Sequence, residues 1–193
     1  MYTNRCSLFS KFYFPVWYQI NELLGSGIER LFEGDPAPTE PFEELVSIKS
    51  ENAISKKGAS RLIPWLKSSN SNDYLVIISD PRMKSPEIRQ TAKNLQSRLP
   101  PEIQKRLIYI NADTPAENRR WLKKSELSDS INVYSDEKMD WMRAYTALGD
   151  KRWSMTMFII AEERVQKIAR ELDGDAAAMV VQNAVKSLQA PRI

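Results

Sequence analysis

The stretch Tyr74-Leu75-Val76-Ile77-Ile78-Ser79-Asp80-Pro81-Arg82-Met83-Lys84-Ser85-Pro86-Glu87-Ile88 decides the fold. Tyr74 to Ile78 is an apolar run rich in β-branched residues, bounded by Asp73 and by Ser79-Asp80-Pro81, and it predicts a strand buried on both faces. Ser85 is a helix N-cap, and Pro86 takes the first helical position, where its missing amide costs nothing. Ile88, Ala92, Leu95 and Leu99 then repeat at helical spacing until Pro100-Pro101 stops them. A buried strand running into a capped amphipathic helix is the unit from which layered α/β domains are built.

Downstream the alternation continues. Leu107 to Ile110 predicts a second strand, and Thr114-Pro115-Ala116-Glu117 is a capping box that opens a helix burying Trp121 and Leu122. Ile131 to Tyr134 predicts a third strand, and Lys138 to Leu148 a third helix ended by Gly149. Thr156 to Ile160 and Val165 to Ile168 follow with only Glu162-Glu163-Arg164 between the two polar boundaries, so they predict an antiparallel hairpin, although its turn lacks the usual glycine. A last helix spans Ala176 to Leu188. Strand-helix-strand followed by strand-strand-helix, with one strand and helix inserted, is the layout of a thioredoxin-like α/β domain: a mixed sheet with helices on both faces.

Upstream, residues 8–32 are denser in aromatics than any later segment, and Ile20, Leu23, Leu24, Ile28 and Leu31 suit one face of a helix, weakened by Gly25-Ser26-Gly27. Gly34 to Pro41 contains three prolines, which fix backbone angles and remove amide donors. The expected division is an aromatic helical docking segment over residues 1–35, a proline-rich linker over 36–41 and the α/β domain over 42–190. The first segment is too apolar to stay solvated, so Phe12, Phe14, Trp17, Tyr18, Leu23 and Leu24 are the candidate partner-binding residues, with a protein partner favoured over the domain's own surface or a membrane headgroup region.

The 193 residues suit one large domain with an appendage. With zero His and one Cys, imidazole catalysis, clustered-cysteine zinc sites and disulfide scaffolds are excluded, and no metal or cofactor is implied. A net charge of +3, from 28 basic and 25 acidic residues, does not point to nucleic acid. No apolar run reaches the ~18 residues a membrane-spanning helix needs, and Arg5 and Lys11 precede a patch that lacks a signal-peptide cleavage site. The solitary Cys6 agrees with a reducing intracellular compartment, the cytoplasm or an organelle interior.

Ile110-Asn111-Ala112-Asp113-Thr114-Pro115-Ala116-Glu117-Asn118-Arg119-Arg120, then Val133-Tyr134-Ser135-Asp136-Glu137, Ala144-Tyr145 and Met157-Phe158-Ile159-Ile160, resemble successive landmarks of the peroxiredoxins, closest to the bacterioferritin-comigratory branch. The resemblance covers roughly residues 42 to 190 and implies a thiol peroxidase fold. It implies a cysteine at the start of the helix after the first long strand, where helix-end amides lower the thiol pKa. Ser85 stands at that position. The family's arginine, three residues before the late-strand Phe158, falls on Met155, with Arg152 out of register. Read against thioredoxin itself, Lys84-Ser85-Pro86-Glu87 replaces the paired-cysteine motif and Met155 the cis-proline.

A serine hydroxyl supplies neither a thiolate nor sulfenic acid chemistry. Ser85 is therefore read as a cap rather than a nucleophile, and the expectation is a redox-inactive, non-enzymatic peroxiredoxin-like subunit of a larger protein assembly. Two alternatives are carried: residual thiol peroxidase or reductase activity through Cys6, and an anion site formed by Arg82 and Lys84 beside the helix amides. Arg119, Arg120, Lys123 and Lys124 around Trp121 are read as the wet face of a helix rather than an RNA patch, and the Met and Trp residues from Met139 to Met157 as packing rather than a cofactor pocket.

Overall fold

In the computed structural model the residues described are 30–48, 54–55, 62–68, 73–125, 127, 131–148 and 153–189. Cys6, the six candidate docking residues Phe12, Phe14, Trp17, Tyr18, Leu23 and Leu24, and the helix stop Gly149 lie outside them. The strands are β1 (Val46–Ile48), β2 (Ile54–Ser55), β3 (Tyr74–Asp80), β4 (Leu107–Asn111), β5 (Asn132–Ser135), β6 (Met155–Ala161) and β7 (Arg164–Leu172). The helices are α1 (Ile63–Leu66), α2 (Pro86–Arg98), α3 (Pro101–Gln104), α4 (Pro115–Lys124), α5 (Asp140–Ala144) and α6 (Gly174–Gln189), and Glu40–Glu44 forms a 3-10 turn.

The described strands form one sheet in the order β2-β1-β5-β4-β3-β6-β7. β3, β4 and β5 run parallel, and β1 and the β6–β7 hairpin are antiparallel to their neighbours. Parallel neighbours require crossovers, and α2 and α4 supply them. The mixed sheet and its helical layers are those expected of a thioredoxin-like α/β domain.

Every residue of β3 is buried because both faces of the sheet are covered. On one face Val76, Ile78, Tyr109, Val133 and Met157 pack with residues of α2, α4 and α6, such as Leu95, Trp121 and Val181. On the other, Leu75, Ile77, Ile110, Tyr134 and Phe158 pack with Phe42, Leu66, Trp141 and Tyr145. Trp141 stacks on Tyr145 at 4.3 Å, and Phe42 meets the two rings edge-on at 5.7 and 5.6 Å. Trp121 and Leu122 are buried, as read from the helix pattern. The Met and Trp cluster divides between the faces: Met155 and Met157 lie on the first, and Met139, Trp141, Met142 and Trp153 on the second.

Several elements differ from the sequence pattern. The helix expected over Lys138–Leu148 is regular only from Asp140 to Ala144, then turns through Leu148. Met139 (φ 58°) and Thr146 (φ 47°) are left-handed there. Tertiary bonds fix both breaks: Met142 N donates to the Asp136 carboxylate at 2.9 Å, and Leu31 N donates to Thr146 Oγ1 at 3.2 Å. Short β1, α1 and α3 have too few residues to show a period, and Pro100-Pro101 both ends α2 and opens α3. Residues 31–45, including the stretch expected to be a spacer, are laid along the domain: Pro36 bridges Arg164, Leu31 and Ala37 pack against the core, Phe42 is fully buried, and Tyr145 Oη donates to the Pro38 carbonyl at 2.6 Å.

The hairpin turn explains its missing glycine only at a cost, since Glu162 (φ 53°) and Glu163 (φ 61°) both adopt the left-handed conformation that a two-residue primed turn demands. An L-residue there is strained by about 1–2 kcal/mol relative to the right-handed region. Glu163→Gly keeps the carbonyl that accepts from Ala37 N and removes the clash, so it should raise unfolding stability by roughly 0.5–1 kcal/mol after the added chain entropy of glycine. Urea unfolding monitored by tryptophan fluorescence measures it, and a lower midpoint would contradict the turn assignment.

Candidate functional site

The carboxyl ends of parallel strands are where open α/β sheets place their sites. Here Asp80 of β3 is in register with Asn111 of β4, and Asn111 with Ser135 of β5, so three polar side chains line up across the strand ends. All three are buried. The N-termini of α2 and α4 complete the arrangement with their caps: Ser85 Oγ accepts from Ile88 N at 3.4 Å and Thr114 Oγ1 from Glu117 N at 3.2 Å.

Asp80 is the hub. Its Oδ1 accepts from the Arg82 backbone amide at 3.0 Å and from Arg82 Nε at 2.9 Å, and its Oδ2 accepts from Arg82 Nη2 at 2.7 Å and from Ser85 Oγ at 2.5 Å. Arg82 Nη1 donates onward to Glu87 Oε1 at 2.9 Å. Burial opposes the charge on Arg82, but the hydrogen bond and charge of Asp80, joined by Glu87, hold its pKa above the ordinary arginine value. Burial likewise works against ionised Glu87, and its backbone hydrogen bond, the Arg82 charge and Ser85 overcome it, so its pKa is lowered.

Asp113 forms the second half. It accepts from Lys84 N at 2.5 Å, which holds Lys84 at φ 55°, and from Arg89 Nη2 at 2.8 Å, while the Arg89 guanidinium lies 5.5 Å from the Trp121 ring. Lys84 Nζ reaches Glu117 at 2.7 Å, and that hydrogen bond is the main reason the Glu117 pKa is lowered. Behind these, Asn111 and Asn118 exchange a reciprocal amide pair at 2.7 Å, and Asn118 also donates to Ser135 Oγ at 2.8 Å.

The arrangement bears on the alternative of an anion site. Arg82 and Lys84, the candidate anion site, each bond carboxylates of the same chain, and among the described residues Asp80, Glu87, Asp113 and Glu117 form their ion pairs with Arg82, Lys84 and Arg89. A carboxylate excess repels an anion. Sequence reading placed Asp80 at the boundary of β3 and did not pair it, Asp113, Glu87 or Arg89 with partners; the closely spaced charges of both signs from Asp80 to Arg89 were the available signal. The capping role of Ser85 is as read, and its hydroxyl faces two carboxylates, Asp80 at 2.5 Å and Glu87 at 3.1 Å.

A cleft of about 690 Å³ opens beside the end of β5, lined by carboxylates Glu43, Glu44, Glu137 and Asp140 together with Asp136 and Lys138. Burial raises the Asp136 pKa against the opposing pull of the Met142, Trp141 and Asp140 amides. Among the described residues no His, Cys, Asp and Glu group is placed to hold a metal ion, and no helix is long and apolar enough to cross a membrane.

No protein-family model matches the chain, and no curated protein is significantly similar to it in sequence. Solved structures do match. A cysteine-to-serine mutant of PrxQ from Xylella fastidiosa superposes with a TM-score of 0.63 at 15% identity, covering 82% of this chain and 98% of that one. The bacterioferritin comigratory protein of Xanthomonas campestris, solved as trapped intermediate and ligand complexes, gives 0.58 at 18% identity over 79% of this chain and 98% of its own. Peroxidoxin BcpB of Mycobacterium tuberculosis gives 0.57 at 13% identity over 85% of this chain and 100% of its own. The likeness establishes the peroxiredoxin-type fold.

Two outcomes test the site. Asp80→Ala strands Arg82 with Glu87 alone; because Arg82 keeps some solvent, the loss should be roughly 2–3 kcal/mol, below the ~3–5 typical of a fully buried pair, whereas Ser85→Ala should lose about 1 kcal/mol as a cap. The pH dependence has a definite sign. Glu87 and Glu117 have folded-state pKa values below their ordinary 4.5, so their contribution is full above 4.5 and is lost as pH falls through the folded values. Unfolding free energy measured in urea should fall below about pH 4.5, and Glu117→Gln should flatten that fall; an unchanged slope would remove Glu117 from the network.

Proposed function

We propose that this chain is a non-catalytic protein of peroxiredoxin fold that serves as a binding or structural subunit of a larger protein assembly. One observation carries the reading: at the helix start where the fold's peroxidases need a thiolate, the chain has Ser85, buried and donating to the Asp80 carboxylate at 2.5 Å. A thiolate forms where positive charge and free amides stabilise it. Here the neighbouring arginine is paired with two carboxylates. The place is suited to holding a loop still, not to holding an anionic nucleophile.

Of the aromatic docking segment expected over residues 1–35, the part proposed to dock is residues 1–29, because Leu31, Gly34 and Asp35 lie against the chain's own domain, and the compartment in which it acts is proposed to be a reducing one. The enzyme alternative runs through Cys6.

Peroxide consumption by the full chain with a thioredoxin or glutathione system separates these readings. The wild type, Cys6→Ser and Ser85→Cys/Cys6→Ser should all be inactive, and the Ser85→Cys thiol, read from ultraviolet thiolate absorbance, should titrate above the ordinary ~8.5 because a carboxylate lies against it. Turnover by the wild type that vanishes in Cys6→Ser reverses the proposal. For assembly, the full chain should retain a defined complex from native material, and a chain lacking residues 1–29 should lose it while keeping a cooperative urea unfolding transition. Retention by the truncated chain would remove the docking role.

A further inference from the structure

α4 carries charge that the fold leaves unanswered. Asn118, Trp121 and Leu122 are buried and mark its inner face, while Arg120, Lys123 and Lys124 are exposed and Arg119 is half-buried. Its one acid, Glu117, is bound to Lys84. Among the described residues none of the four cations pairs with a carboxylate, and Arg119 Nε is buried without a hydrogen-bond partner. Lys123 and Lys124 suit the negative end of the helix dipole, but Arg119 and Arg120 stand in mid-helix, where neither capping nor the dipole accounts for them. Arg119 is four residues from Lys123, and Arg120 is three and four from Lys123 and Lys124; like charges at those spacings destabilise a helix. Four cations against one glutamate leave an excess equal to the net +3 of the whole chain, so the remainder of the chain is balanced.

Pro115, Arg119 and Lys123 follow one another along one side of α4. Pro115 also lines the cleft at the end of β5. There Glu43, Glu44 and Glu137 are exposed and have no ion pair among the described residues, Asp140 pairs with Arg143, and Lys138 is the one lining cation. A cationic helix face and an acidic cleft therefore adjoin. A uniform polyanion, whether nucleic acid or anionic bilayer, gains at the helix and loses at the cleft. The indole that could stack on a base, Trp121, is buried with the Arg89 guanidinium over its ring. Protein surfaces, by contrast, present both signs side by side.

We propose that the outer face of α4 and the adjoining cleft form one docking surface for a protein partner, which sets an acidic segment against Arg119, Arg120, Lys123 and Lys124 and a basic one against Glu43, Glu44 and Glu137. The proposal rests on the reading of the chain as an assembly subunit and adds a second contact, on the folded domain rather than on residues 1–29. A partner carboxylate gives the Arg119 guanidinium an acceptor that the chain itself does not supply. The two signs also fix direction: the acidic segment lies toward the carboxyl end of α4.

Fluorescence anisotropy of the full chain tests the surface with a labelled peptide made of a glutamate block and a lysine block. It should bind more tightly than an all-glutamate peptide of equal length, a single-stranded oligonucleotide or phosphatidylserine vesicles. Arg120→Gln/Lys123→Gln should weaken it roughly 3–10-fold, and Glu43→Gln/Glu44→Gln should weaken it while tightening the all-glutamate peptide. Absent binding, binding indifferent to both variants, or preference for the oligonucleotide or vesicles overturns the proposal. So does a two-copy mass in sedimentation that halves in Arg120→Gln/Lys123→Gln, since the occupant is then a second copy. With residues 1–29 intact, the same variant should leave the native complex at lower salt than the wild type. A complex lost on removing residues 1–29 but unmoved by this variant overturns the α4 surface and leaves the assembly reading standing; a complex that survives both changes overturns both.

Discussion

Asp80 has no solvent exposure, so its negative charge has to be answered inside the protein. The position is forced by β3: the strand is buried along its whole length, and Asp80 is its last residue, on the face covered by α2. An uncompensated carboxylate there would cost several kcal/mol. Arg82 answers it with both the backbone amide and the guanidinium, and Ser85 adds its hydroxyl. The turn from strand to helix takes its shape from these bonds, and the entry of α2 onto the sheet follows from the turn. Lys84 is left-handed in the middle of it because its amide must also meet Asp113 at the end of the adjacent β4 unit.

The two halves of the strand-end network are not independent. Asp80 is in register with Asn111, the Asp113 backbone amide donates to Asn111 Oδ1, and Asn111 locks to Asn118 of α4, which reaches Ser135 of β5. The caps of both crossover helices are thereby tied to the same row of the sheet. Polar networks stiffen a fold where their members are satisfied, and here Arg89 Nε, beside Asp113, is buried without a hydrogen-bond partner. The opposite face is held differently, by Trp141, Tyr145, Phe42 and Phe158 packed edge-on and stacked, where area and ring geometry rather than charge set the arrangement.

The elements legible in the sequence are those with local causes. Tyr74–Ile78, the Ser85-Pro86 and Thr114-Pro115 caps and the stripe of α2 carry composition, capping and period within a few residues, and the structure places them as read. What sequence reasoning missed depends on distant partners. The break in the helix after Lys138 is imposed by Asp136 and by Leu31, the latter far away in the chain. Residues 36–41 have the composition of a spacer, yet Phe42 and Tyr145 pull that stretch onto the sheet. At the site, the individual roles of Asp80 and Ser85 as strand-end and cap residues were legible, but their pairing with each other, and the neutralisation of Arg82 and Lys84, required the turn to bring them together.

The peroxiredoxin-type fold and the charge pattern at its helix start point in different directions, and the physical difference is one of polarity. A helix N-terminus offers partial positive charge to whatever sits at its cap. In a thiolate enzyme that field is left unspent for the nucleophile. In this chain Glu87 in the first turn of α2 and the Asp80 carboxylate at its cap already occupy it, and Arg82 is shared between them. The field therefore serves the stability of the turn. Reversing that use would require more than a sulfur atom in place of the Ser85 oxygen, because the carboxylate that now accepts its proton is itself fixed by the burial of β3.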